Sequence, residues 1–186
     1  ESQSFTVFPW INISQVPWTI SGTNSYEGLV SATSGQISHG TSTSLIIRTI
    51  FENDDSIRFH YRVSSEPNYD NLVFKLNDAE VFKQSGEIPW TDISVPVTAG
   101  TNKMEWIYSK DQSVSNGADC AWIDLIDFAE SSPVEYIDKD LKVARIVTPV
   151  QKDKYGKETV TVKVLNIGKE PVNGFNMAYR VNNESV

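Results

Sequence analysis

Apolar and polar side chains alternate at period two through most of this chain, and no stretch of a dozen residues holds the roughly 3.6-residue period of an amphipathic helix. In "SIRFHYRVSSE", Ile57, Phe59, Tyr61 and Val63 alternate with Arg58, His60 and Arg62. A strand built this way turns an apolar stripe to a core and a basic stripe to the other side of its sheet. The same pattern predicts further strands near 4–11, 26–32, 43–52, 70–76, 79–84, 91–97, 102–109 and 119–129. Asn77-Asp78, between "NLVFKL" and "AEVFK", predicts a hairpin turn because both residue types tolerate positive φ. "TAGTN" at 98–102 predicts another tight connection. Many short antiparallel strands at this spacing predict an all-β protein, a jelly-roll β-sandwich.

The pattern breaks in "ESSPVEYID" and then restarts, so residues 131–138 are read as a linker. Beyond it, "DLKVARIVTP", "ETVTVKVLNIG" and "NGFNMAYRVN" predict three more strands. The expected organisation is a jelly roll over 1–130 and a second, partial sandwich over 139–186.

Composition narrows the partners. The chain carries 24 acidic against 16 basic residues, a formal charge of -8, and such a surface repels phosphate backbones. No nucleic acid is expected. No apolar run approaches the roughly 20 residues that span a bilayer, and no basic amphipathic helix is visible, so membrane insertion is not expected either. Cys120 is the chain's one cysteine, which excludes an internal disulfide and any multi-cysteine zinc site. Its place in mid-strand reads as a small buried hydrophobe.

Catalytic patterns are sparse. A serine triad must use His39 or His60, and neither a G-x-S-x-G elbow nor H-E-x-x-H occurs. Glu66 and Asp70 in "SSEPNYD" are the nearest pair for carboxylate-based glycoside hydrolysis, with a polar loop before a strand as the competing reading. The expectation is a protein that is not an enzyme.

Binding chemistry is better supplied. Asp111, Asn116 and Asp119 lie in the connection "KDQSVSNGAD", and Asp124 in the strand after it; loops at sandwich ends offer the oxygens that a hard cation takes. The competing reading is a hairpin loop turning at Asn116-Gly117, with Asp124 a buried hydrogen-bond acceptor. Strict alternation in "CAWIDLIDF" puts Cys120, Trp122, Asp124, Ile126 and Phe128 on one face, and Ala121, Ile123, Leu125 and Asp127 on the other. Flat rings beside carboxylates suit sugars. Apolar content on both faces, however, reads as a central strand, with Trp106 and Trp122 filling a core. Aromatics near turns are freer to bind, and Trp90, Tyr69 and Trp18 are the ligand-binding candidates. The basic stripe of Arg58, His60 and Arg62, extended by Arg48, suits an anionic polysaccharide or an acidic partner unless neighbouring carboxylates neutralise it.

Four segments taken in order, "YEGLVSATSGQISHGTSTSL", "IRFHYRVSSEPNYDNLVFKLND", "SGEIPWTDISVPVTAGTNKMEWIYSKD" and "GADCAWIDLIDF", resemble jelly-roll modules of secreted bacterial proteins in the MAM-like and cleaved-adhesin-like group. The resemblance covers roughly residues 5–129. The tail, with Asp140-Leu141, "VTVKVLNIG" and "FNMAYRVNN", is similar to the start of a CARDB-like immunoglobulin-type domain. Related carbohydrate-binding jelly rolls hold a structural calcium with an Asp of the last strand and an early Glu. The resemblance therefore implies a calcium held by Asp124 and Glu27, to which the loop carboxylate Asp119 is added. It further implies a non-catalytic adhesion or carbohydrate-binding module of an extracellular or cell-surface bacterial protein, meeting a glycan or a surface protein. The rival expectation is a structural spacer or protein–protein module beside an enzyme domain.

Overall fold

The apolar stripe of Ile57, Phe59, Tyr61 and Val63 faces a core. Ile57, Phe59 and Val63 are at most 1% exposed, whereas Arg58 is exposed and His60 half-buried on the other side of the strand. The computed structural model describes residues 4–5, 8–134, 139, 141–149, 157, 159–166 and 171–179. They fall into two compact units, Glu1–Glu135 and Tyr136–Val186.

Among the described residues, the first unit contains ten strands: β1 (Thr19–Ser21), β2 (Ser31–Thr33), β3 (Ser42–Phe51), β4 (Asp55–Ser64), β5 (Asn71–Leu76), β6 (Ala79–Gln84), β7 (Glu87–Val97), β8 (Gly100–Ser109), β9 (Cys120–Asp127) and β10 (Ser131–Pro133). They form two five-stranded antiparallel sheets, β1-β2-β9-β4-β7 and β10-β3-β8-β5-β6. From β2 to β9 the chain passes from one sheet to the other at every connection except the β5–β6 hairpin. That winding, two four-stranded layers made by one folded ribbon, is an antiparallel jelly-roll β-sandwich. The protein is all-β among the described residues.

Inward side chains of both sheets meet in one core that includes Trp18, Leu45, Ile47, Phe59, Phe74, Trp106 and Tyr108. Phe59 lies edge-on to Trp106 with ring centroids 5.3 Å apart, and Phe74 lies 4.9 Å from Phe59. Such offset contacts lock the two layers beyond the area they bury. The hairpin turns at the expected residues: Asn77 and Asp78 both take positive φ, 52° and 70°. Asn77 also bonds Lys103 of β8 through its backbone N–H and its side-chain oxygen, which pins the register.

Several expected elements differ. Of the described residues in the expected strand 4–11, Ile11 forms an isolated bridge to Ile46 and the others carry no strand, while residues 6 and 7 lie outside the described residues. Much of 26–32 is a loop, because the N–H groups of Tyr26 and Glu27 are taken by the Asp124 carboxylate and not by a strand. Ser131–Pro133, within the stretch read as linker, pairs with the end of β3. Alternation along β9 also fails after Asp124. Leu125 has φ of 46°, and three β9 residues span what two β4 residues span between the His60–Asp124 and Arg58–Asp127 pairs. This β-bulge returns Ile126 and Phe128 to the core and sends Asp127 outward beside Arg58.

In the second unit, β11 (Leu141–Thr148) and β12 (Thr161–Asn166) form a two-stranded antiparallel sheet. Of the third expected strand, 173–182, residues 173–179 carry no strand, and 180–182 lie outside the described residues.

Candidate functional site

The outer face of the β1-β2-β9-β4-β7 sheet gathers the polar half of the β4 alternation. His60 stands opposite Asp92 of β7 on one side and Asp124 of β9 on the other; Arg58 stands opposite Ser94 and Asp127. Carboxylates thus interleave with the basic stripe. Between the Tyr61–Thr91 and Val63–Ile88 pairs, β7 inserts one residue more than β4, and this second bulge sets Trp90 beside Arg62 on the outer face.

Above this face lies the loop from Gly22 to Val30. Asp124 Oδ2 accepts the backbone N–H groups of Tyr26 at 2.8 Å and Glu27 at 3.3 Å, and its Oδ1 accepts that of Leu125 at 2.8 Å. Arg62 Nη1 donates to Asn24 Oδ1 at 2.9 Å, and its guanidinium lies over the Trp122 ring at 5.1 Å. The loop therefore lands where a carboxylate and a guanidinium wait for it. It carries Tyr26 onto His60, ring centroids 3.8 Å apart and stacked, with Trp90 edge-on at 6.1 Å. Tyr26 remains 49% exposed, and Trp90 lines a groove with Arg62, Glu87, Ile88 and Pro89. The result is an open aromatic platform rimmed by both signs of charge.

Trp90 belongs to this platform. Tyr69 is exposed in the β4–β5 connection. Trp18 must be withdrawn as a ligand contact: it is 1% exposed and part of the core. Asn12 holds it there, donating to the Trp18 carbonyl at 2.8 Å and accepting its N–H at 2.9 Å, so the turn tucks the ring inward. Trp122, read as core, is buried on the outer face beneath Arg62 instead. Sequence reasoning missed Tyr26; the signal available was a tyrosine beside the Glu27 already singled out.

The three expected metal ligands do not converge. Asp124 accepts three backbone N–H groups, Glu27 is exposed, and Asp119 lies at the start of β9 with Lys110 and Tyr108. Among the described residues, the carboxylates that do cluster are Glu66, Asp70 and Asp111, each with an oxygen within 4.8 Å of the others. Burial pushes the Glu66 carboxyl above its ordinary range, and the charges of Asp111 and Asp70 push it further, against Lys110 and His39. Glu66 and Asp70 are poorly placed for glycoside hydrolysis, which needs two carboxyls facing substrate across a cleft. Asp70 is fully buried and lies 3.5 Å from Lys110 Nζ. Burial pushes the Cys120 thiol up to about 11, so it is protonated at neutral pH and no nucleophile.

No protein-family model and no curated protein matches the sequence. Among solved structures, the chain is similar to the secreted serine protease VesC from Vibrio cholerae, at 15% identity and a TM-score of 0.45, covering 65% of this chain and only 25% of that one. It is also similar to TmCBM61 in complex with β-1,4-galactotriose, at 12% identity, 66% and 87% coverage and a TM-score of 0.44. A family 35 carbohydrate-binding module from an environmental isolate aligns at 14% identity, 67% and 96% coverage and a TM-score of 0.38.

Proposed function

We propose that the first unit is a non-catalytic carbohydrate-binding module whose ligand lies across Tyr26, Trp90 and Arg62. The observation that carries this reading is the open pair of rings on a sheet face, Tyr26 and Trp90, with Arg62, Glu87 and Asp92 around them. A pyranose stacks its C–H face on such a ring while its hydroxyls meet the charged rim. His60 backs Tyr26 and holds the ring flat without occupying its free side. The resemblance to MAM-like and cleaved-adhesin-like modules supports an extracellular or bacterial cell-surface setting, in a larger secreted protein, with adhesion to a glycan or a surface protein as its use. The same kind of resemblance supports reading the second unit as the start of a CARDB-like immunoglobulin-type domain.

A glycan array followed by calorimetry on the best ligand tests the site. Tyr26→Ala and Trp90→Ala should each weaken binding by about tenfold, the worth of one stacking contact, with little change in melting temperature. Tyr69→Ala should leave affinity unchanged; a loss there with none at Tyr26 and Trp90 would move the site to the connections. A second reading, a spacer or protein-interaction module, is favoured by Val143, Ile146, Phe175, Met177 and Tyr179, all exposed in the second unit. An array without any bound polysaccharide would select it.

A further inference from the structure

We propose that Glu87 sets the specificity of the platform: it accepts a hydroxyl of a neutral sugar and turns away sugars that carry a carboxylate. This rests on the carbohydrate-binding reading and narrows its ligand to a class.

Glu87 is the first residue of β7, paired with Ser64 of β4, and lines the Trp90 groove together with Arg62. An exposed carboxylate on a long side chain discriminates little unless its geometry is fixed, because ordering it costs rotamer freedom. Here two other elements fix it. Ser64 is 4% exposed, and its hydroxyl donates to Glu87 Oε1 at 2.7 Å while accepting the backbone N–H of Ala118 at 2.7 Å. The single proton of that hydroxyl is thus committed to Glu87. The β8–β9 connection closes over the pair at Gly117, where φ is 64° and a Cβ would lie 2.3 Å from both Ser64 Oγ and Glu87 Oε1. A residue without a side chain is what lets the loop come so near.

With one oxygen held, the other is open. Glu87 Oε2 takes no hydrogen bond among the described residues, and Glu87 forms no ion pair with them. A carboxylate oxygen accepts and does not donate, so it bonds a sugar through a hydroxyl. Arg62 supplies the converse. Its Nη1 donates to Asn24 Oδ1 at 2.9 Å and its guanidinium lies over Trp122, which anchors it without a carboxylate partner among the described residues. A pyranose on Trp90 therefore meets a fixed acceptor and a fixed donor, and a hydroxyl satisfies either.

Charge then separates neutral sugars from uronates. Asp92 stands opposite His60, Glu27 follows Tyr26 in the loop, and Arg58 stands opposite Asp127. Among the described residues lining the Trp90 groove, Arg62 is the one cation and Glu87 the one anion. A uronate on Trp90 can reach Arg62 only by bringing its charge into the groove that holds Glu87, and like charges brought together at an interface are penalised. The formal charge of -8 adds repulsion of the same sign at longer range.

The test is an array of matched hexamers, mannose with mannuronate, glucose with glucuronate and galactose with galacturonate, probed with the full chain at low and high salt. The parent should bind a neutral member at least about tenfold more tightly than its uronate counterpart at low salt, with a smaller gap at high salt. Glu87→Gln keeps an oxygen for Ser64, so its melting temperature should match the parent's. It should bind the neutral hexamer about three- to tenfold more weakly, and the uronate more tightly, than the parent does. Glu80→Gln removes the same charge from an exposed position of β6 and should change neither. A parent that prefers uronates, a Glu87→Gln protein that shifts both ligands alike or neither, or a Glu80→Gln protein that behaves as Glu87→Gln would overturn the role of Glu87 and leave the glycan platform standing. An array with nothing bound would remove both.

Discussion

Lys110 is a charged side chain only 1% exposed, and its tolerance depends on Asp119 and Asp70. Burial alone would raise the Asp119 carboxyl, but hydrogen bonds from Lys110 and Ser115, the Lys110 charge and the Tyr108 hydroxyl hold it below its usual range. A carboxyl depressed in the folded state stabilises above its unfolded pKa, near 3.8, and that contribution is lost as pH falls through the folded value. Asp119→Asn should therefore cost about 1.5–3 kcal/mol at neutral pH, the worth of a hydrogen bond to a charged group, in urea unfolding. The gap between parent and variant should shrink below pH 4, where the parent too loses the pair. At this scale the sequence is a partial guide. It offered Asp119 as a metal ligand and gave Lys110 no role, and it placed Trp18 at a turn without the Asn12 bonds that fold it inward.

The long strands β3, β4 and β8 were legible because buried residues recur at every second position through most of each. What escaped were the interruptions. Leu125 is an ordinary strand residue by type, yet its φ of 46° flips every later side chain of β9, and only the Asp124 carboxylate bonding its N–H explains why the chain accepts that. The same carboxylate replaces a strand ladder for Tyr26 and Glu27, so the predicted strand over 26–32 became the loop that carries the platform's tyrosine. Asp124→Ala should release this loop while β4 and β9 stay paired. Amide hydrogen exchange at Tyr26 and Glu27 should then accelerate strongly while that of Phe59 and Ile123 changes little. Uniform acceleration across the sheet would instead mean that the carboxylate supports the whole sandwich.

For the molecule as a whole, the jelly-roll winding closes one core within Glu1–Glu135. That unit expressed alone should unfold in one cooperative transition and, on the proposed function, bind glycan as tightly as the full chain does, by calorimetry of both. All-β character and the sandwich were readable from period and spacing; the candidate site was not, because it depends on which elements meet, and Tyr26 and Trp90 are brought together only by the folded topology. The strand order has one more consequence. The four outer strands are β1, β7, β10 and β6. Two of them are three residues long, β7 contains Pro89 and Pro96, β10 contains Pro133, and β6 exposes Glu80 and Lys83. Prolines lack the N–H a neighbour would pair with, and short or charged rims refuse a tenant strand. Copies of this unit crowded side by side on a surface would slide past one another instead of knitting into fibres.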